Sequence, residues 1–286
     1  MKQPMNNNTR WTEKAIAFAG CSFTWGQGLY YYSDLSTVVP VGEYDYQDNL
    51  VTEIQKKYVM RNNYSWHVAN YFNSVQLNQL RNGGSNSDWI NYWGEDILGG
   101  PNREHYYYPE EIHLFVVQMT QPHRDNNSQL FPSDMTYLDA LNDPNLLPEI
   151  MEIHGFKTIQ EFTNAHNKMV VGNVKAFLQK LEAHGIPTML YTWPAENVNH
   201  IISDPWLAER FMRITYNGIT YDCQYDLMND NPHLVIKHDK STFGENCPTD
   251  HHPSLECHKI IADNVIQHIT THDLIKERNE RELARS

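Results

Sequence analysis

The segment from Ile112 to Met119, IHLFVVQM, constrains this chain most, because it is an eight-residue, mostly apolar run bounded by polar turns. Such a strand has no polar face to offer to water, so it must be covered on both sides. Three other runs read the same way: AIAFAGC (Ala15 to Cys21), SVQLNQL (Ser74 to Leu80) and PTMLYTW (Pro187 to Trp193). HLVIK, from His233 to Lys237, is a weaker fifth. Helix patterns lie between them. SDWINYWGEDIL follows the second run, with Ser87 or Asp88 as its cap. A segment from about 157 to 184 carries Val170, Val174, Phe177, Leu178 and Leu181 at helical spacing and stops at Gly185. A last helix is expected over about 254–271, followed by the charged tail KERNERELARS. Strand–helix alternation of this kind predicts a parallel sheet with helices on both faces.

Two stretches break the rhythm. Residues 125–152 are rich in Asn, Asp and Pro, and residues 195–231 mix aromatics with turn residues. Both are long enough to be insertions or lids over the carboxyl ends of the strands, where open α/β sheets bind ligands. No repeat or linker divides the 286 residues, so a single domain over 1–286 is expected. With 40% apolar and 12% aromatic residues, that length can bury a substantial core.

The formal charge of −13 argues against nucleic acid or an anionic membrane surface as a partner, since both need a basic face. No apolar run reaches the roughly 20 residues that span a bilayer. The segment MKQPMNNNTRWTEK lacks the apolar stretch of a secretory signal, so a cytoplasmic location is expected. Cys21, Cys223, Cys247 and Cys257 form no C-x-x-C pair and read as reduced, mostly buried thiols. Cys247, His251, His252, Cys257 and His258 fit no usual zinc spacing, and no metal or other cofactor is expected. His258 shares a helix face with Ala262, Val265 and Ile269 and reads as a packed core histidine.

Two segments carry chemistry. The first, Gly20-Cys21-Ser22-Phe23-Thr24-Trp25-Gly26, follows the first strand directly. A serine at a strand-to-helix turn projects its hydroxyl above the sheet near backbone N–H groups, and the preceding glycine permits a tight turn. The second, Thr249-Asp250-His251-His252-Pro253-Ser254, opens the last helix. Serine is a weak nucleophile without a base, and a histidine oriented by an aspartate supplies one.

Together these segments resemble the SGNH/GDSL hydrolase family of serine esterases and acylhydrolases. Gly20, Ser22, Thr24 and Gly26 match its first block, with Cys21 in place of the family's Asp. Asp250, His252 and Pro253 match its last block. The resemblance implies that Ser22 is the nucleophile, His252 the base and Asp250 the residue that orients it. It implies a three-layer α/β/α sandwich with a parallel, flavodoxin-like sheet of about five strands. In Asn82-Gly83-Gly84-Ser85-Asn86 it assigns an oxyanion-hole amide to Gly84, with Gly83 close behind. The third block departs from the family pattern. Where the family has an Asn donor, the alignment of strands puts Pro122, which has no side-chain donor. Gln121, His123 or Arg124 is expected to replace it from a neighbouring position, with Gln121 assigned to the oxyanion hole.

The expected activity is cleavage of a small-molecule or carbohydrate ester, including O-deacetylation. His123, Arg124 and Trp193 are expected to contact substrate, and a few of the aromatics in loops near the site to stack on sugar rings. Two rivals stay open: acyl transfer to another hydroxyl through the same residues, and a binding protein that has kept the fold but lost turnover. No motif specifies an oligomeric state.

Overall fold

The structure, a computed structural model, describes residues 14–26, 29, 53–78, 84–99, 109–125, 129–130, 135–237 and 249–275. Within these, the side chains of 25, 53–56, 237 and 249–251 lie outside the description. The chain opens with β1 (Ala15–Ala19), the single-turn α1 (Ser22–Trp25), α2 (Glu53–Met60), α3 (Tyr64–Tyr71) and β2 (Val75–Asn78). It continues through α4 (Asn86–Leu98), β3 (Ile112–Met119), α5 (Tyr137–Asn142), α6 (Leu146–His154), α7 (Ile159–Ala183) and β4 (Thr188–Thr192). Then come α8 (Val198–Ile202), α9 (Pro205–Arg210), β5 (Ile214–Tyr216), β6 (Ile219–Tyr221) and α10 (Gln224–Asp230). The last elements are β7 (Val235–Lys237), β8 (Thr249–Pro253) and α11 (Leu255–Thr271).

Four strands form one parallel sheet in the order β2-β1-β3-β4. Alternation along each strand divides the core in two. Ile16, Phe18, Leu114, Val116, Met189 and Tyr191 face α3 and α11, meeting Val68, Ile261, Val265 and Ile269. Ala15, Ala17, Phe115, Val117 and Leu190 face α4 and α7, meeting Trp89, Trp93, Phe177 and Leu178. The alanines of β1 have a packing reason. Ala17 lies beside Phe115 in the sheet, and Phe115 packs edge-on against Trp93 at 5.5 Å and Phe177 at 5.8 Å. Larger residues at 15, 17 and 19 would fill the space these rings occupy. The fold is thus mixed α/β, a parallel sheet between two helical layers.

Helix ends follow local chemistry. Ser85, rather than Ser87 or Asp88, caps α4: its side chain accepts from Asp88 N–H while the Asp88 carboxylate accepts from Ser85 N–H. The cap therefore lies two residues before the expected Ser87, and Asp88 takes the reciprocal position. Gly185, with φ of +80°, ends α7. Ile186 N–H reaches Leu181 O at 3.1 Å and Gly185 N–H reaches Glu182 O at 2.9 Å, the paired bonds of a Schellman stop.

The expected fifth strand is corrected. HLVIK supplies β7, but β7 does not join the sheet; it pairs antiparallel with β8 in a separate two-stranded ribbon. The outer edge of β4 is instead met by one bridge, Leu190 to Phe211, with Met212 N–H on Leu190 O at 2.8 Å. Strand-forming residues do not by themselves choose a partner, and β7 takes the segment that leads into α11.

The two irregular stretches contain structure of their own. Leu130, Tyr137, Ala140 and Ile150 of the first bury Phe162 of α7 in a small cluster. The second supplies α8, α9, α10 and the hairpin β5–β6, turned at Asn217 and Gly218 with φ of +49° and +79°. The tail after 275 and Cys247 lie outside the described residues, as do Tyr30 to Tyr32 and Tyr106 to Tyr108. Among the described residues, no helix is long and apolar enough to cross a membrane.

Candidate active site

Serine 22 is the first residue of α1, directly beyond the carboxyl end of β1. At that position its N–H has no acceptor within the helix. The turn is tight for a steric reason. A Cβ on Gly20 would lie 2.1 Å from Thr24 Oγ1 and 3.1 Å from the Gln118 Cβ, so only glycine fits. Gly26 closes the turn with φ of +89°, and its N–H donates to Ser22 O at 2.9 Å.

From the far end of the sequence, β8 brings His252 to the same point. Its Nε2 lies 3.0 Å from Ser22 Oγ across 230 residues, with both residues buried. The ribbon β7–β8 and the bond from Ser254 N–H to Leu234 O, 2.7 Å, hold this segment against the domain. Phe23 packs on the His252 ring at 4.8 Å, which limits its rotation. Asp250 lies in β8, two residues before His252, but its side chain is outside the described atoms, as is that of His251. Gly83 is outside the described residues as well.

Gly84 is described and buried, and a hydrogen-bonded clamp surrounds it. Asn86 Oδ1 accepts from Thr120 N–H at 3.0 Å, and its Nδ2 donates to Thr120 O at 3.2 Å and to Asp125 Oδ2 at 2.8 Å. Asp125 also accepts from Ser87 N–H and Oγ, and Asn197 Nδ2 donates to Thr120 O at 3.0 Å. Thr120 Oγ1 donates to Gly84 O at 3.4 Å. Burial raises the Asp125 carboxyl above its ordinary range, and the bonds from Ser87 and Asn86 oppose this. The loop holding Gly84 is thereby tied to the end of β3.

Pro122 begins the short turn Pro122–Arg124 after β3. It is buried, and its carbonyl is met by His166 Nε2 of α7 at 2.7 Å. Gln121, His123 and Arg124 flank it, each half-buried. Burial lowers the pKa of His123, the Arg124 charge lowers it further, and Glu196 opposes them. Burial also pushes the Cys21 thiol up, against the nearby Arg124 charge and other contacts that lower it. The Arg124 guanidinium therefore stands within electrostatic reach of the turn that carries Ser22.

Trp193 follows β4. Its half-buried ring packs on Phe23 at 4.7 Å and edge-on against Tyr225 at 6.0 Å. Tyr225 N–H donates to Trp193 O at 2.9 Å, and the Tyr225 side chain is exposed. A row of rings thus runs from His252 through Phe23 and Trp193 to solvent.

His258 is fully buried on α11, where Nδ1 accepts from Tyr64 N–H at 3.2 Å. Burial pushes its imidazole down to about 3, and His67 and His252 act in the same sense. The unfolded chain therefore binds an extra proton between that value and the ordinary 6.5. The stabilising effect of a neutral His258 is complete above about pH 6.5 and is lost as pH falls toward about 3. His258→Gln should flatten the acid limb of a Tm-against-pH curve across this window. His268, held at about 4 mainly by burial, leaves a residual slope. An unchanged slope would refute the assignment.

Several of these residues were not singled out in the sequence. Gln118, a polar residue inside an apolar strand, was a visible signal; Gln224, Asn86, Asp125, Thr120 and Asn197 carried none. Among the described residues, no group of three or more His, Cys, Asp or Glu converges to hold a metal ion.

No family model matches the chain, and no curated protein matches it. The solved structures similar to the chain include one at 14% identity and a TM-score of 0.45, over 90% of this chain and 68% of the other. That protein is a carbohydrate esterase whose active site is described as having divergent catalytic and non-catalytic binding functions.

Proposed function

We propose that the chain is a serine esterase of the SGNH/GDSL type, acting on an acylated carbohydrate or a related small ester. The observation that carries this reading is the 3.0 Å contact between His252 Nε2 and Ser22 Oγ at the carboxyl edge of a parallel sheet. In the proposed reaction, Ser22 Oγ attacks the ester carbonyl while His252 Nε2 takes its proton. The amides of Gly84 and Ser22, with Gly83 beside them, stabilise the oxyanion, and Gln121 supplies a third donor. His252 returns the proton to the leaving alkoxide, and the acyl-enzyme is then hydrolysed by water that His252 deprotonates. Asp250 orients the imidazole and stabilises its cation. His123 and Arg124 border the substrate, and no cofactor takes part. The whole chain acts as one domain.

The test is covalent. A fluorophosphonate should label the protein, with the adduct mapped to Ser22 by mass spectrometry, and a panel of short-chain and sugar esters should define the acyl group. A protein that neither labels nor turns over ends this reading.

The aromatic row supports the carbohydrate assignment. Tyr225→Ala should raise KM for an acetylated pyranoside about 3- to 10-fold, the equivalent of roughly 0.5–1.5 kcal/mol of ring stacking, with kcat little changed. KM for methyl acetate, which has no ring, should stay constant. Equal effects on both esters would remove the sugar-stacking role.

One observation favours a second reading. Pro122 stands where a side-chain oxyanion donor is expected, and losing such a donor costs about 100- to 1,000-fold in rate. A slow acyltransferase or a binding protein on the same fold fits that weakness. Added alcohols that divert the acyl group from water would identify the transferase, and absence of labelling would identify the binder.

A further inference from the structure

Gln118 is the polar break in β3 and is fully buried. Its position in the alternation puts its side chain on the face of Leu114 and Val116, below the turn that carries Ser22. Its Oε1 accepts from Thr24 Oγ1 at 2.8 Å and from the Cys21 thiol at 3.8 Å. Burial keeps that thiol protonated and so a donor. Its Nε2 donates to Gln224 Oε1 at 2.7 Å, and Gln224 Nε2 in turn approaches Met228 Sδ and Cys257 Sγ. One carboxamide thus holds the residues on both sides of Ser22, and its own orientation is set by α10. The Gly20 Cβ position lies 3.1 Å from the Gln118 Cβ, so the strand and the turn are in contact along this line.

We infer that Gln118 is a positioning residue for Ser22, and that Gln224 sets the orientation in which it acts. Gln118 lies under the turn rather than in it and touches neither His252 nor any reacting atom. It acts by fixing Cys21 and Thr24, so that Ser22 Oγ remains within reach of the imidazole and its N–H remains turned toward the oxyanion. A turn of only four helical residues has too few bonds of its own to do this. A misplacement of about 1 Å is enough to cost about 100-fold in rate.

This inference rests on the serine-esterase reading, and its test separates the two. Gln118→Met keeps the length and removes both hydrogen-bonding functions; Thr24→Val removes the hydroxyl and keeps the shape; Thr24→Ser restores it. Each purified variant is checked for folding by circular dichroism and thermal melting, and active sites are counted by fluorophosphonate titration. Gln118→Met and Thr24→Val should lower kcat per titrated site about 10- to 100-fold, with KM within about twofold. The rate of fluorophosphonate labelling should fall by the same factor. The double variant should be no worse than Gln118→Met, because both break one connection, and Thr24→Ser should recover to within about threefold of the wild type.

The acid limb of the kcat/KM–pH profile should stay in place, since His252 is untouched. A shifted limb would mean that Gln118 acts on the base and would overturn the inference. Wild-type kcat per site in the single variants, or additive losses in the double variant, would also overturn it while leaving the esterase intact. Failure of the wild-type protein to label at Ser22 removes the esterase reading instead.

Discussion

Ser22→Ala is expected to abolish ester turnover and fluorophosphonate labelling, with kcat reduced by about 10⁴- to 10⁶-fold. The substitution removes one oxygen and leaves the backbone of α1 unchanged. Its cost to stability should be about 1 kcal/mol, because the hydroxyl's hydrogen bond is to His252, whose Nε2 is left to find water. Gly20 and Gly26 shape the turn whether position 22 is Ser or Ala, so the variant should fold and melt close to the wild type. Kinetics with the best ester of the panel, intact-mass labelling and a melting curve together make the test. Turnover within tenfold of wild type would show that a different group attacks the carbonyl.

His252→Ala should cost several orders of magnitude in kcat, while His251→Ala costs much less. The two residues are adjacent in β8, and successive side chains of a strand alternate. His252 is the one whose Nε2 meets Ser22 Oγ, with Phe23 against its ring. In the proposed mechanism, removing His252 takes the base away from the serine, whereas His251 has no part in the reaction. Measuring kcat and KM for both variants on one ester settles the order. A dead His251 variant beside an active His252 variant would mean that the strand is offset by one residue, which turns every side chain over.

Much of the scaffold was legible because its signals are local. The apolar runs at 15–21, 74–80, 112–119 and 187–193 needed cover on both faces, and they became β1 to β4. Gly185 had to end α7 because a left-handed residue there is easiest for glycine. The weak fifth run misled for a physical reason. HLVIK has strand-forming residues, but propensity does not choose a partner, and β7 found β8 instead of the edge of β4.

The site divides along the same line. Ser22 and His252 stood out from their motifs, since a serine after a strand and a histidine before a helix are sequence features. Gln118 was conspicuous as an amide inside an apolar strand, yet its role depends on Thr24 and Gln224, which lie 94 and 106 residues away. The clamp of Asn86, Thr120 and Asp125 is of the same kind: each residue looks like an ordinary loop polar group until the ends of β3 and the start of α4 are brought together.

By itself, the sequence determined the layered parallel architecture, the glycine stop of α7 and the two segments that hold Ser22 and His252. Periodicity and turn chemistry act over a few residues and leave their mark in the order of the chain. Tertiary structure alone decided that β7 would hold the His252 segment, that the 195–231 stretch would supply Gln224 and Tyr225, and that Nε2 would come to 3.0 Å from Oγ. Those outcomes depend on which buried polar groups and apolar faces meet across the sheet, and that is settled only when the whole core packs.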